Sequence, residues 1–374
     1  MAHLRFALLA VLCSSNTHFE RRSAMSSIVA KTYHYVIGID THAKKHVAVL
    51  MDSLGVVLQT REVRVTEKQM TQFVDWAVAK TGGSVLFAVE GTSSYGETLT
   101  NLLLSRQLPV TEVKPPRTKS RGGNGKTDQI DAELAARSVL RMSVNALILP
   151  RSGDTRRALR ILIGARRHMV CQRVATKNTL IALLRGMPLG IDARQPLSDT
   201  QYREIANWDV PDGDVTAEGL ARAEARYLAE QVVALTSSLA ANQEKLSQLV
   251  GTIAASLLDE PGVGPVTAAQ VVCAYSHKGR IRSAAAFANL AGTTPIPASS
   301  GNTTHYRLNR YGDRQLNNAL HTIVMSRMRS NEPTRQYVEK RTKDGLGTRD
   351  IRRSLKRYVA RNLFKKLETC NIVA

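Results

Sequence analysis

Between residues 33 and 140 the hydrophobic positions fall into short apolar runs separated by amphipathic stretches. YHYVIGI (33–39), HVAVLMD (46–52), VVLQTREVRV (56–65), SVLFAV (84–89) and PVTEV (109–113) have the length and β-branched content of strands. EKQMTQFVDWAVAK (67–80), YGETLTNLLLSRQ (95–107) and DQIDAELAARSVL (128–140) repeat apolar residues with a helical period. The order is a meander of three strands, then helix, strand, helix, strand, helix. That order predicts an α/β sheet with an antiparallel edge.

Downstream the period is helical. Residues 151–186 predict a basic helix, in which Arg156, Arg157, Arg160, Arg166, Arg167, Arg173 and Lys177 interleave with Leu159, Ile163, Val170, Val174, Ile181 and Leu184. Its arginines form either a solvated face or a phosphate-contacting one. After the turn-rich NWDVPDGD a second helix runs from about Ala217 to Val250. Here Ala221, Ala225, Leu228, Val232, Leu235, Leu239, Asn242, Leu246 and Leu249 follow alternating steps of four and three, the seam of a coiled coil. Two readings stand for that seam: an intramolecular hairpin with residues 151–186, or an intermolecular contact building a homo-oligomer, a dimer or tetramer. Residues 258–374 open with LDEPGVGPVTAAQVV, where Gly262 and Gly264 would let backbone N–H groups approach a phosphate as in helix-hairpin-helix DNA binders, or would form a plain turn between helices. The chain then stays helical and basic through RQLNNALHTIVMSRMRS and RDIRRSLKRYVARNLFKKL.

The fold class expected is α/β plus all-α: a mixed sheet in the strand order of ribonuclease H-like folds, a helical coiled-coil linker, and a mainly helical C-terminal domain with a helix-hairpin-helix-like element. The expected divisions are 1–32, 33–148, 149–256 and 257–374. Residues 1–32 read as a disordered extension or a misassigned start, with Met25 a candidate initiator, because the apolar run in MAHLRFALLAVLC has no clean small-residue cleavage site after it. No other segment approaches a membrane span.

Charge narrows the partners. With 52 Lys and Arg against 31 Asp and Glu the net charge is +21, a field that attracts polyanions, nucleic acid first among them. Four scattered cysteines, Cys13, Cys171, Cys273 and Cys370, have no zinc or disulfide spacing and fit a reducing cytoplasm with nucleoid association.

Against that basic background a few carboxylates stand at strand ends. Asp40 closes the first apolar run, Glu90 closes SVLFAVE, and TDQIDAEL offers Asp128 and Asp131 on one helix face. Clustered, half-buried carboxylates call for a cation, and oxygen ligands without nearby cysteine point to Mg²⁺ or Mn²⁺. Singly, Asp128 could cap its helix and Asp40 could begin a turn. GGNGKT lacks the first glycine of a P-loop, and His42 and His46 flank a strand-turn-strand segment rather than sharing a helix face, so neither is expected to bind phosphate or metal. A second cluster, PASSGNTTHYRLNRYGDRQLNNAL, sets Ser299 and Ser300 before Arg307, Arg310 and Arg314, a hydroxyl near cations that could hold a phosphate.

GIDTHAKKHVAV, AVEGTSSYGETL, GKTDQIDAELAARSVL, PGVGPVTAAQVV and LAGTTPIPASSGNTTHYRLNRYGDRQLNNAL, in that order, resemble the DEDD transposases of bridge-RNA-guided insertion sequences. The resemblance implies a RuvC-like N-terminal domain and a C-terminal serine transposase domain. It makes Asp40, Glu90, Asp128 and Asp131 the acidic tetrad. It makes Ser300, with Ser299 as fallback, the nucleophile of a covalent phosphoserine link to DNA. Family members commonly continue from serine-glycine into another glycine and a lysine, where this chain has Asn302 and Thr303. The resemblance also implies donor and target DNA and a structured noncoding guide RNA as partners. The competing functions are a RuvC-like nuclease without a covalent intermediate and a catalytically silent nucleic-acid binder.

Overall fold

The computed structural model describes residues 27–114, 127–211, 213–298, 303, 306–370 and 372. The expectations placed on Met25, Ser299 and Ser300 lie outside the described residues. The chain forms two compact units that divide after Ser152.

In the first unit, α1 (Val29–Thr32) precedes β1 (Tyr35–Thr41), β2 (Lys45–Asp52), β3 (Val57–Arg64), α2 (Glu67–Thr81), β4 (Val85–Glu90), α3 (Glu97–Ser105), β5 (Val110–Val113) and α4 (Asp128–Leu140). The sheet order is β3-β2-β1-β4-β5, antiparallel from β3 to β1 and parallel from β1 to β5. This mixed five-stranded sheet is compatible with a ribonuclease H-like fold. Both faces of its centre are covered. Ile37, Ile39, Phe87 and Val89 pack with Phe73 and Val74 of α2 and Leu99 and Leu103 of α3, while Val36, Leu86 and Ala88 pack with Ala135, Ala136 and Val139 of α4. Burial on both faces explains why β1 and β4 read as unbroken apolar runs rather than alternating ones.

The second unit begins with α5 (Asp154–Gly186), α6 (Asp199–Ala206) and α7 (Ala217–Ala254). These are followed by α8 (Pro265–Tyr275), α9 (Ala284–Leu290), β6 (Ile296–Pro297), β7 (Tyr306–Arg307), α10 (Arg314–Ser330), α11 (Glu332–Lys343) and α12 (Thr348–Thr369). The heptad seam of α7 is satisfied within the chain. Ala221, Ala225, Leu228 and Val232 share a core with Leu180 and Leu184 of α5, and Leu246 and Val250 share another with Leu159, Ile163 and the C-terminal helices. Asn242, the polar residue of the seam, donates from Nδ2 to the Leu162 carbonyl at 3.0 Å and so fixes the register of α7 on α5.

Two arginines depart from the expected basic surface of α5. Arg156 is buried, and its Nε donates to the Cys273 carbonyl of α8 at 3.3 Å. Arg166 donates from Nη1 to the Leu239 carbonyl at 2.9 Å and from Nη2 to Gln243 at 3.4 Å, so it binds the hairpin together instead of facing an outside phosphate. Its guanidinium sits below its ordinary pKa, through burial first and then repulsion from Arg173. Arg157 pairs with Asp154 at 2.7 Å, whereas Arg160 and Arg167 are exposed.

Candidate active site

The acidic site is built on a close approach of helix to sheet. A Cβ on Gly38 would stand 2.6 Å from the Ala136 nitrogen and nearer still to the Ala132 carbonyl oxygen, so only glycine lets α4 lie this near β1. Asp40 is two residues beyond Gly38 on the same strand and therefore shares the α4 face of the sheet. The N-terminus of α4 carries Asp128 and Asp131 to that face. Thr127, not Asp128, caps the helix, accepting from the Ile130 N–H, which leaves the Asp128 carboxylate for the site.

Asp40 is 7% exposed and Asp131 5%. His42, at the β1–β2 turn, joins the carboxylates: its Nε2 lies 3.0 Å from Asp40 Oδ2 and 3.4 Å from Asp128 Oδ1. Ligand atoms of Asp40, His42 and Asp128 all fall within 4.8 Å of one another, a spacing that could hold a metal ion. Sequence spacing did not lead to this placement of His42 among the carboxylates. It needs no shared helix face, because the turn folds it back onto the strand end. His46 supports the turn from below. It is fully buried, and its Nδ1 accepts from the His42 N–H at 3.3 Å. Burial, and then His42, hold its imidazole below the ordinary range and so neutral.

Glu90 ends β4, the parallel neighbour of β1, one residue past the registered pair Ile39–Val89. It shares the α4 face with Ala88, as Asp40 does with Gly38. Its carbonyl accepts from Thr41 Oγ1 at 2.8 Å, tying the two strand ends together. Gly91, at φ +71°, turns the chain directly against that hydroxyl.

The electrostatics fit a divalent cation. Burial raises the Asp40 carboxyl above its ordinary pKa, His42 draws it back, and Asp128 and Asp131 push it up again. A buried carboxylate beside two others is relieved by a hard cation, and the Asp40, His42 and Asp128 ligand atoms lie close enough together to share one.

The residues of the second unit expected to contact nucleic acid divide. Arg307, Arg310 and Arg314 are exposed. Gly262 has a packing role: its φ is +75°, and a Cβ there would meet the Ile323 carbonyl of α10 at 2.9 Å. The Gly264 N–H is taken by Thr267 Oγ1 at 3.1 Å and the first helical residue is Pro265, which has no N–H to offer. The hairpin thus presents fewer free donors than its glycines suggest.

The fold and the site define a mixed-sheet α/β protein whose carboxylates meet at a strand end, where they could hold a metal ion. The comparisons specify it further. Residues 37–188 match the DEDD domain of IS110-type elements, described as a transposase, and residues 254–339 match the domain described as Transposase IS116/IS110/IS902 family. An "Insertion element IS116 uncharacterized 44.8 kDa protein" of Streptomyces clavuligerus is 26% identical over 358 residues, covering 83% of this chain and 88% of the relative. The chain matches both IS110/IS116 transposase domain models, and together these findings support a DEDD-type insertion-sequence transposase, a DNA-cutting and rejoining enzyme for which the family implies a divalent metal. Among the described residues no helix is long and apolar enough to cross a membrane.

Proposed function

We propose that this transposase cuts and rejoins DNA at the ends of its insertion sequence, with Asp40, Glu90, Asp128 and Asp131 as the acidic tetrad and Ser300 as the nucleophile. The observation that carries the reading is the convergence of Asp40, His42 and Asp128 at the end of β1, inside the segment that matches the DEDD transposase domain. Bound Mg²⁺ or Mn²⁺, held by Asp40, Asp128, Asp131 and Glu90, would supply Lewis-acid polarisation of a phosphodiester. His42 orients Asp40 and Asp128 through its imidazole.

The Ser300 hydroxyl attacks phosphorus and loses its proton, the ester bond to the neighbouring sugar breaks, and the sugar oxygen leaves as a hydroxyl. Attack on the phosphoserine by another sugar hydroxyl returns the serine, so bond energy is conserved through the exchange without ATP. The charge of +21 supports DNA and a structured guide RNA as partners of the same chain.

Cleavage of a labelled duplex carrying an element end tests the acidic half. Asp40→Asn and Asp128→Asn should each abolish cleavage while leaving the circular dichroism spectrum unchanged, and chelation should abolish it in the wild type. Wild-type cleavage by a folded Asp40→Asn protein would remove the carboxylates from the mechanism.

A further inference from the structure

In the second unit, α10 and α12 pack together, and cations lie along their contact. Arg314, Asn317 and His321 follow one face of α10 at steps of three and four, and Arg352, Lys356 and Arg357 lie along α12. Lys356 is half-buried, yet its partner is neutral: Nζ donates to Asn317 Oδ1 at 2.9 Å. Arg357 donates from Nη1 to Thr294 Oγ1 at 3.0 Å. The Nε of Arg352 is buried without a hydrogen-bond partner.

Among the described residues no carboxylate forms an ion pair with Lys356, Arg352, Arg357 or His321. The acidic residues close in sequence are already used. Asp350 pairs with Arg353 at 2.8 Å, and Asp313 accepts from the Gln315 and Leu316 N–H groups. Burial, then Arg353, lowers the Lys356 ammonium below its ordinary pKa, and burial, then Lys356 and Arg352, lowers His321. Gathering like charges and an orphaned guanidinium N–H in a half-buried trough is costly unless an anion completes them.

We propose that the trough between α10 and α12 is a phosphodiester-binding site in which Lys356, Arg352 and Arg357 grip the DNA backbone. The proposal rests on the reading of the chain as a DNA transposase. Guanidinium groups can hold phosphate oxygens bidentately, and the single ammonium serves as a point charge between them. The site also touches the segment that leads to the serines. Asn317, besides accepting from Lys356, donates from Nδ2 to the Ala291 carbonyl at 2.6 Å, and Thr294 accepts from Arg357, so α12 is tied to the residues that run on through β6 to Ser299 and Ser300. Phosphate bound in the trough would bear on the same network.

The test is fluorescence anisotropy of the full-length protein with an element-end duplex, over a salt series in the absence of divalent metal. Each phosphate contact adds about 0.9 to the log-log salt slope, or about eightfold in affinity at 0.1 M salt. Lys356→Gln and Arg352→Gln should each lose about that much slope and affinity, and Lys356→Arg should retain them. His321→Glu, which places a carboxylate beside Lys356 without removing a cation, should weaken binding at least as strongly in a protein of unchanged circular dichroism. It keeps the test decisive where a cation-removing variant fails to fold.

Unchanged slopes in folded variants would overturn the proposal, as would a loss confined to an RNA duplex of equal length. The transposase chemistry is read separately. If trough variants lose binding while no serine adduct ever forms, the trough stands and the serine mechanism falls; an adduct at Ser300 with unchanged slopes gives the reverse.

Discussion

Gly38→Ala should disable the acidic site without touching a carboxylate. The added methyl would stand 2.6 Å from the Ala136 nitrogen, about 0.8 Å short of the 3.4 Å at which ordinary contact begins, and the Ala132 carbonyl is nearer still. Both obstacles on that side are helix backbone, which cannot rotate away as a side chain can, so α4 must lift from β1 by about 0.8 Å or more. Overpacking of this kind costs about 1–3 kcal/mol. The larger effect is on chemistry: Asp128 and Asp131 ride on α4 while Asp40 stays with the sheet, and a misplacement near 1 Å can cost about 100-fold in rate. Single-turnover cleavage of an element-end duplex in Mg²⁺ measures this, with Gly164→Ala as the control, because nothing lies within 4 Å of a Cβ at that α5 position. A folded Gly38→Ala protein that cleaves at the wild-type rate would refute the dependence of the site on this helix–sheet contact.

Other substitutions test the remaining parts of the structure. Arg156→Ala should lower thermal stability and leave the salt slope of DNA binding unchanged, whereas Arg167→Ala should reduce the slope by up to about 0.9 with little effect on stability, since only the first is buried. Leu239→Asp places a charge in the α5–α7 seam, where the leucine is 4% exposed, and should destabilise by about 3 kcal/mol or more while leaving the mass in light scattering unchanged. A fall in mass would return the seam to an intermolecular role. His277 is held down to about 4 by burial, with Arg280 and Arg156 adding to it. The imidazole binds its proton more readily when unfolded, so stability should be full above about pH 6.5 and fall by on the order of 3 kcal/mol as the pH drops towards 4. In urea melts at pH 7 and pH 4.5, His277→Gln should show a smaller loss than the wild type; an equal loss would remove His277 as its source.

The sheet was legible in the sequence because its central strands are buried on both faces and so appear as unbroken apolar runs, and α4 because DQIDAEL continues into a helical repeat. The carboxylates could be placed at strand ends from spacing alone. What spacing could not show was tertiary. His42 reaches Asp40 across a turn and Asp128 across the gap to α4, and the only local sign was a histidine two residues beyond a strand-end aspartate. Arg156 and Arg166 left a clearer trace. Arg156, Leu159, Ile163 and Arg166 are spaced by three, four and three, so both arginines lie on the stripe that the leucine and isoleucine bury. Counting them with the basic surface followed their charge instead of their position. The glycines of PGVG suggested an approach to phosphate, but a positive φ and a neighbouring carbonyl account for Gly262 through packing.

The central claim, that DNA passes through a covalent bond to this chain, is tested most directly by denaturing electrophoresis of the protein with labelled element-end DNA in Mg²⁺, followed by peptide mapping. The account predicts a protein–DNA adduct on the peptide that contains Ser300, absent from Ser300→Ala and from Asp40→Asn. Mapping to Ser299 would move the nucleophile by one residue and keep the chemistry. Efficient cleavage and rejoining by the protein with both serines replaced by alanine, with no adduct at any time point, would contradict it.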